Sequence, residues 1–150
     1  MTKDDHGGPF WDILEGRSPL PAASKLLGWK LISFDPADGA IQVEFAAVPE
    51  FVNSVGTIQG GIIAAMLDDT MTPAAAAYLG GNYIVPTLEL KISFMRPARV
   101  GPLFGKGKVL HRGRDILFLE GAMKDKEDKL IASATATARM YDWPKASNTK

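Results

Sequence analysis

Residues 60–79, GGIIAAMLDDTMTPAAAAYL, constrain this chain more than any other stretch. Apolar residues recur at 63, 66, 67, 71, 74, 75 and 78, a helical period with few polar interruptions on any side. Such a helix must be buried, so the rest of the chain has to wrap it. After the GGN at 80–82 the pattern changes to period two: Leu88, Leu90, Ile92 and Phe94 fall on one face of a strand, and Thr87, Glu89, Lys91 and Ser93 on the other. Residues 103–112, 115–124 and 129–142 read as three further strands, joined by RGR and DKEDK. Trp29 to Phe34 and Ala40 to Val48 flank the turn sequence DPADG, which predicts a hairpin over 28–48. The expected order is α-β-β-α-β-β-β-β around an antiparallel sheet. Ala132, Ala134, Ala136 and Ala138 form a small-residue stripe on the last strand, where the helix can approach closely. Pro73 lacks an N–H, so the carbonyl of Asp69 should lose its intrahelical bond and the helix should kink one turn beyond the acids.

The chain has 150 residues, 46% of them hydrophobic and 23% charged, which suits one domain with its own core. Seventeen basic residues balance seventeen acidic ones, so no global field draws the chain to nucleic acid or an anionic membrane. There is no cysteine, which removes disulfides, thiolate metal sites and a Cys nucleophile. The start is acidic where a signal peptide is basic, and no segment is long and apolar enough to span a bilayer; the expected location is the cytoplasm. Residues 1–24 read as a lead-in, helical but broken by Pro19 and Pro21, and the polar tail at 144–150 as disordered.

Within the helix lie two adjacent acids. At ~100° per residue Asp68 shares its face with Gly61, Ala64, Ala65, Thr72 and Ala75, nearly all small, so a ligand or another backbone can lie there. Asp69 sits beside Ile62, Ala65, Pro73 and Ala76, which suits a structural acid. Asp68 is therefore the candidate working residue, although an acid pair can also mark a helix end. Gly60 and Gly61 begin the helix, where unbonded N–H groups and the positive dipole end favour a developing negative charge; the plain alternative is a tight turn. Eight residues at 1.5 Å rise separate the two features by ~12 Å, too far to serve one small reacting centre. Two such helices side by side and antiparallel in a dimer would bring them together, so at least two chains are expected.

N-x-x-G-T-I-Q-G-G-I-I-A-A-M-L-D at 53–68, followed by T-L-E-L-K-I-S-F-M-R-P-A at 87–98, resembles the hotdog-fold acyl-CoA thioesterases of the phenylacetate-pathway (PaaI-like) type over residues 25–141. The resemblance implies an α+β hotdog fold, one long central helix wrapped by an antiparallel sheet, assembled as a homodimer or homotetramer. It implies an acyl-CoA substrate and no cofactor. Asp68 falls on the family's acid, which activates water or attacks the thioester. Gly60 offers its N–H to the thioester oxygen, and Asn53 helps to orient the nucleophile. Thr87 matches the polar residue that positions water, but it lies opposite the Leu88, Leu90, Ile92, Phe94 stripe, so only a bend in the strand would aim it at the site. Gln59 stands where the family commonly has His, keeping a donor but no titratable group. Gly61, at the helix start, is a candidate substrate contact. Arg96, Arg112 and Arg114, with Lys106 and Lys108, suit either coenzyme A phosphates or an ordinary solvated face.

Other chemistries find little support. His6 and His111 are far apart and without clustered acids, so no metal site is expected. There is no G-x-S-x-G elbow, and GPLFGKG at 101–107 lacks phosphate-loop spacing. The alternative function is a non-catalytic acyl-CoA binding module on the same fold. Hotdog hydratases pair the acid with a His near the helix, and residues 50–80 contain none. Phe51, Met66, Met71, Tyr78, Tyr83 and Met95 could line an acyl pocket or be plain core.

Overall fold

The structure, a computed structural model, describes residues 7–144. The lead-in forms two short helices, α1 (Pro9–Leu14) and α2 (Ala22–Leu26). Strands β1 (Lys30–Asp35) and β2 (Ala40–Ala47) follow, then a 3-10 turn at Pro49–Phe51 and the long helix α3 (Gly60–Tyr78). The remaining strands are β3 (Tyr83–Ile84), β4 (Thr87–Phe94), β5 (Gly101–Arg112), β6 (Ile116–Lys124), β7 (Leu130–Arg139) and β8 (Tyr141–Asp142). Six of them form one antiparallel sheet in the order β1-β2-β5-β6-β7-β4, and α3 packs against it. This is the hotdog arrangement. Among the described residues no helix is long and apolar enough to cross a membrane. His6 and residues 145–150 of the tail lie outside the described residues.

The first hairpin closes at DPADG: the Asp35 carboxylate accepts from the Ala37 N–H at 2.9 Å, and Gly39 takes the left-handed conformation, φ 61°, that the turn requires. The last strand departs from expectation. It stops at Arg139, the Met140 N–H bonds the carbonyl of Asp115 at 2.8 Å, and Tyr141–Asp142 turns aside to pair with Tyr83–Ile84 as a separate two-stranded ribbon.

Helix and sheet come closest at a place the small-residue stripe did not indicate. The four alanines of β7 are buried. Yet the tightest contacts are at glycines of β5 and β6. A Cβ on Gly105 would collide with Thr70 Oγ1, one on Gly107 would stand 2.9 Å from the Thr70 carbonyl, and one on Gly121 would stand 2.9 Å from Met71 Cγ. Glycine at these three points lets α3 sink its Met66, Leu67, Thr70 and Met71 face fully into the sheet. Thr70 is the one fully buried polar residue of that face, and its hydroxyl is satisfied by the Met66 carbonyl at 2.7 Å.

α3 runs without interruption through Pro73 to Tyr78. The carbonyl of Asp69 does lose its intrahelical donor, and the vacancy is filled from outside: the Trp29 indole N–H donates to it at 2.7 Å. That bond ties the start of β1 to the middle of the helix and holds Trp29 in the core.

Candidate active site

Asp68 is half-buried on α3, and its Oδ1 accepts a hydrogen bond from the Thr87 hydroxyl at 2.5 Å, the short range expected for an O–H donor on a carboxylate. Simple alternation along β4 places Thr87 on the wrong face for this contact. The difference is a β-bulge. Thr87 pairs with Ala138, whose side chain is buried beneath the helix, whereas Glu89 pairs with Thr137 on the outer face, so the register slips at Leu88. The extra residue turns Thr87 inward while the rest of the strand keeps its alternation. The Thr72 hydroxyl bonds the backbone carbonyl of Asp68 at 2.9 Å, stiffening the same turn.

The helix start is built by Gln59. Its Oε1 caps α3, accepting from the N–H of Gly61 and from that of Ile62 at 3.3 Å, and its extended backbone (φ −61°, ψ 133°) sets the entry angle. The Gly60 N–H, next to this cap, meets no acceptor among the described residues. A recess of about 330 Å³ opens beside it, lined by Gly60, Phe94, Met95, Arg96 and Ala98 among others. The dipole and the unbonded N–H make this an anion-receptive point.

Asn53 does not reach Asp68 within the chain. Its Oδ1 accepts from the N–H groups of Val55 and Thr57, each at 3.1 Å, and its amide donates to Thr57 Oγ1 at 3.1 Å, closing the loop that leads into the helix. The basic residues separate as well. Arg96 lies at the helix start and donates to the Leu130 carbonyl at 2.9 Å. Arg112 lies at the other end of the sheet, in the row that runs through Leu117 and Ala138 to Thr87, and Arg114 lies in the β5–β6 turn just beyond it. Gly61 is exposed. Phe51, Met66 and Met71 are core residues, Met95 borders the recess, and Tyr78 is exposed. His111 is exposed against Phe118, and among the described residues no group of three His, Asp or Glu is placed to hold a metal ion.

Asp69 behaves differently from its neighbour. Burial, and secondarily the adjacent Asp68 charge, raise its pKa from 3.8 to about 6, against the opposing influence of the Ser24 hydroxyl. Since the folded carboxyl holds its proton more tightly than the unfolded one, its stabilising contribution is complete below pH 4 and is lost as pH rises through 6. Above that, the buried charge is a net cost. The shift corresponds to at most ~3 kcal/mol, reduced to ~1 kcal/mol because the carboxyl is only partly withdrawn from water. Asp69→Asn is therefore expected to raise the melting temperature by ~2–4 °C at pH 8 and to change it little at pH 4. Thermal melts across that range check this; equal effects at both ends would contradict it.

The thioesterase superfamily pattern matches residues 55–132, from the loop that Asn53 closes to the first residues of β7. Human acyl-coenzyme A thioesterase 13 is 28% identical over 86% of this chain and 92% of its own length. A phenylacetic acid degradation-related protein of Ralstonia eutropha JMP134 superposes with a TM-score of 0.83 at 36% identity, over 87% of this chain and 98% of that one. The PaaI protein of the E. coli phenylacetic acid degradation operon superposes with a TM-score of 0.77 over 88% of this chain and 93% of that one; at 20% identity it speaks for the fold alone. With one long helix against a six-stranded antiparallel sheet, these matches mean that the chain belongs to the thioesterase superfamily and is a hotdog-fold, PaaI-like thioester hydrolase.

Proposed function

We propose that the protein hydrolyses acyl-CoA thioesters at a site shared between two protomers, with Asp68 of one facing the partner's Gly60. The observation that carries this reading is the pairing of Asp68 with the inward-turned Thr87 on the same helix whose start presents the Gly60 N–H. Antiparallel helices that set residue 60 of one against residue 68 of the other cross near residue 64. There Gly61, Ala64 and Ala65 offer little bulk, and Gly61 and Ala65 are exposed on the single chain. β4 adds support: it is an edge strand of the six-stranded sheet, and Leu88 and Phe94 on it are 57% and 55% exposed, which suits pairing with a second β4.

In this scheme the thioester carbonyl lies between the two helices, its oxygen on the partner's Gly60 N–H. Asp68, held by Thr87, takes a proton from water as the water oxygen attacks the carbonyl carbon. The tetrahedral oxyanion is stabilised by the N–H and the helix dipole. On collapse the C–S bond breaks, the proton passes from Asp68 to the thiolate, and the free acid and coenzyme A leave. Attack by Asp68 itself, through a mixed anhydride that water then opens, would use the same contacts. Arg96 stands beside the helix start, and Arg112 and Arg114 at the Thr87 end of the sheet; they are the candidate contacts for coenzyme A phosphates. The setting that goes with this reading is the cytoplasm, and pairing of two dimers would give a tetramer. Thiol release from a panel of acyl-CoAs is the test: turnover on some members is expected, and none across a broad panel would overturn the reading.

A further inference from the structure

A second cavity of about 330 Å³ lies beside α3 on the face that carries Asp69, Thr72, Pro73 and Ala76, roofed by the lead-in segment through Phe10 of α1, Ser24 of α2 and Leu20 between them. It adjoins the Asp68–Thr87 pair on both sides. Asp69 follows Asp68 in the helix, Thr72 both lines the cavity and bonds the Asp68 carbonyl, and Pro86 lines it immediately before Thr87. An acyl group whose carbonyl stands at Asp68 thus has this space directly beside it. At ~30 Å³ per heavy atom the space holds about ten such atoms.

The lining is mostly apolar, with Ser24, Thr72 and the carboxylate of Asp69 as polar members on the helices. Asp69 Oδ2 is buried and has no hydrogen-bond partner. Of the donors in the wall, the Trp29 indole N–H is already engaged by the Asp69 backbone carbonyl, and the Ser24 hydroxyl interacts with the Asp69 carboxyl but leaves Oδ2 without a bond. A buried acceptor without a donor is unfavourable, and a ligand that supplies an O–H at that point relieves it. Resting on the thioesterase reading, we propose that this cavity is the subsite for the far end of the acyl chain, and that it selects chains ending in a hydroxyl that donates to Asp69 Oδ2. The lead-in helices are then part of the substrate-selecting wall.

The experiment compares kcat/KM for ω-hydroxyoctanoyl-CoA and octanoyl-CoA within single preparations, so that any loss of folded protein cancels in the ratio. The unmodified protein is expected to prefer the hydroxylated ester by about tenfold or more, the worth of a hydrogen bond to a charged acceptor. Asp69→Leu should remove or reverse that preference. Ala76→Leu, which fills the cavity from the helix side, should lower the efficiency of both eight-carbon esters relative to acetyl-CoA. Binding of the two esters to Asp68→Asn protein, followed by the fluorescence of Trp29 and Trp143 in the cavity wall, tests the subsite without turnover. Equal hydrolysis of both esters by the unmodified protein, with an unchanged ratio in Asp69→Leu, overturns the subsite and leaves the thioesterase reading standing. Selective binding without hydrolysis of any ester overturns the hydrolytic reading and supports the subsite. Hydrolysis of short esters with no binding of either eight-carbon ester overturns the subsite alone.

Discussion

Asp68→Asn is expected to lower kcat for acyl-CoA hydrolysis by ~10²–10⁴-fold while leaving acyl-CoA binding and the oligomer intact. Asn has nearly the same volume and keeps one acceptor oxygen for the Thr87 hydroxyl, so the contact that fixes the side chain can persist. What it loses is the capacity to take a proton or attack a carbonyl. The effect should therefore fall on turnover rather than affinity, which separates a chemical role from a structural one. Residual rate from the helix-start donor is compatible with this. Near-normal turnover in Asp68→Asn protein would mean that the base lies elsewhere.

Gly60→Pro is expected to reduce kcat by ~10²–10³-fold, because it deletes the single N–H assigned to the oxyanion and little else. Proline is well tolerated in the first turn of a helix, and Gln59 already has the extended backbone that a following proline demands. A side-chain carbon here meets only Phe94, with Cζ at 3.5 Å, an ordinary contact. Gly60→Ala adds the same carbon while retaining the N–H, so its rate should stay far closer to that of the unmodified protein. Similar losses in both variants would point to crowding of the recess instead of a missing donor.

The elements were legible where periodicity and punctuation agree. The apolar helix from Gly60, the DPADG hairpin and the four later strands follow from repeats of 3.6 and 2, because burial imposes those periods on the chain. Departures occur where one residue breaks a period. The slip at Leu88 reverses the facing of Thr87, and alternation cannot show a bulge until the partner strand is known. The missing N–H of Pro73 announced a homeless carbonyl, but only the fold could supply Trp29 as its donor. The alanine stripe of β7 was conspicuous and the glycines of β5 and β6 were not, although the latter set the closest approach, since a single glycine carries no periodic signal. The choice of Asp68 over Asp69 came from helical geometry. The raised pKa of Asp69 comes from its burial, and its place in a cavity under the lead-in segment depends on packing against residues some forty to sixty positions away, which no local pattern encodes. The basic residues were read as one group, yet the sheet carries Arg96 and the Arg112–Arg114 pair to opposite ends.

The central claim is that one site takes its acid from one protomer and its oxyanion donor from the other. Co-expression of Asp68→Asn chains with Gly60→Pro chains tests it directly, because a mixed dimer then contains one site with both defects and one with neither. Random pairing makes about half of the dimers mixed, so the co-expressed sample should recover about one quarter of the activity of the unmodified protein although each variant alone is nearly inactive. Activity no higher than the average of the two separate variants, in a sample shown by mass spectrometry to contain mixed dimers, would contradict the shared site.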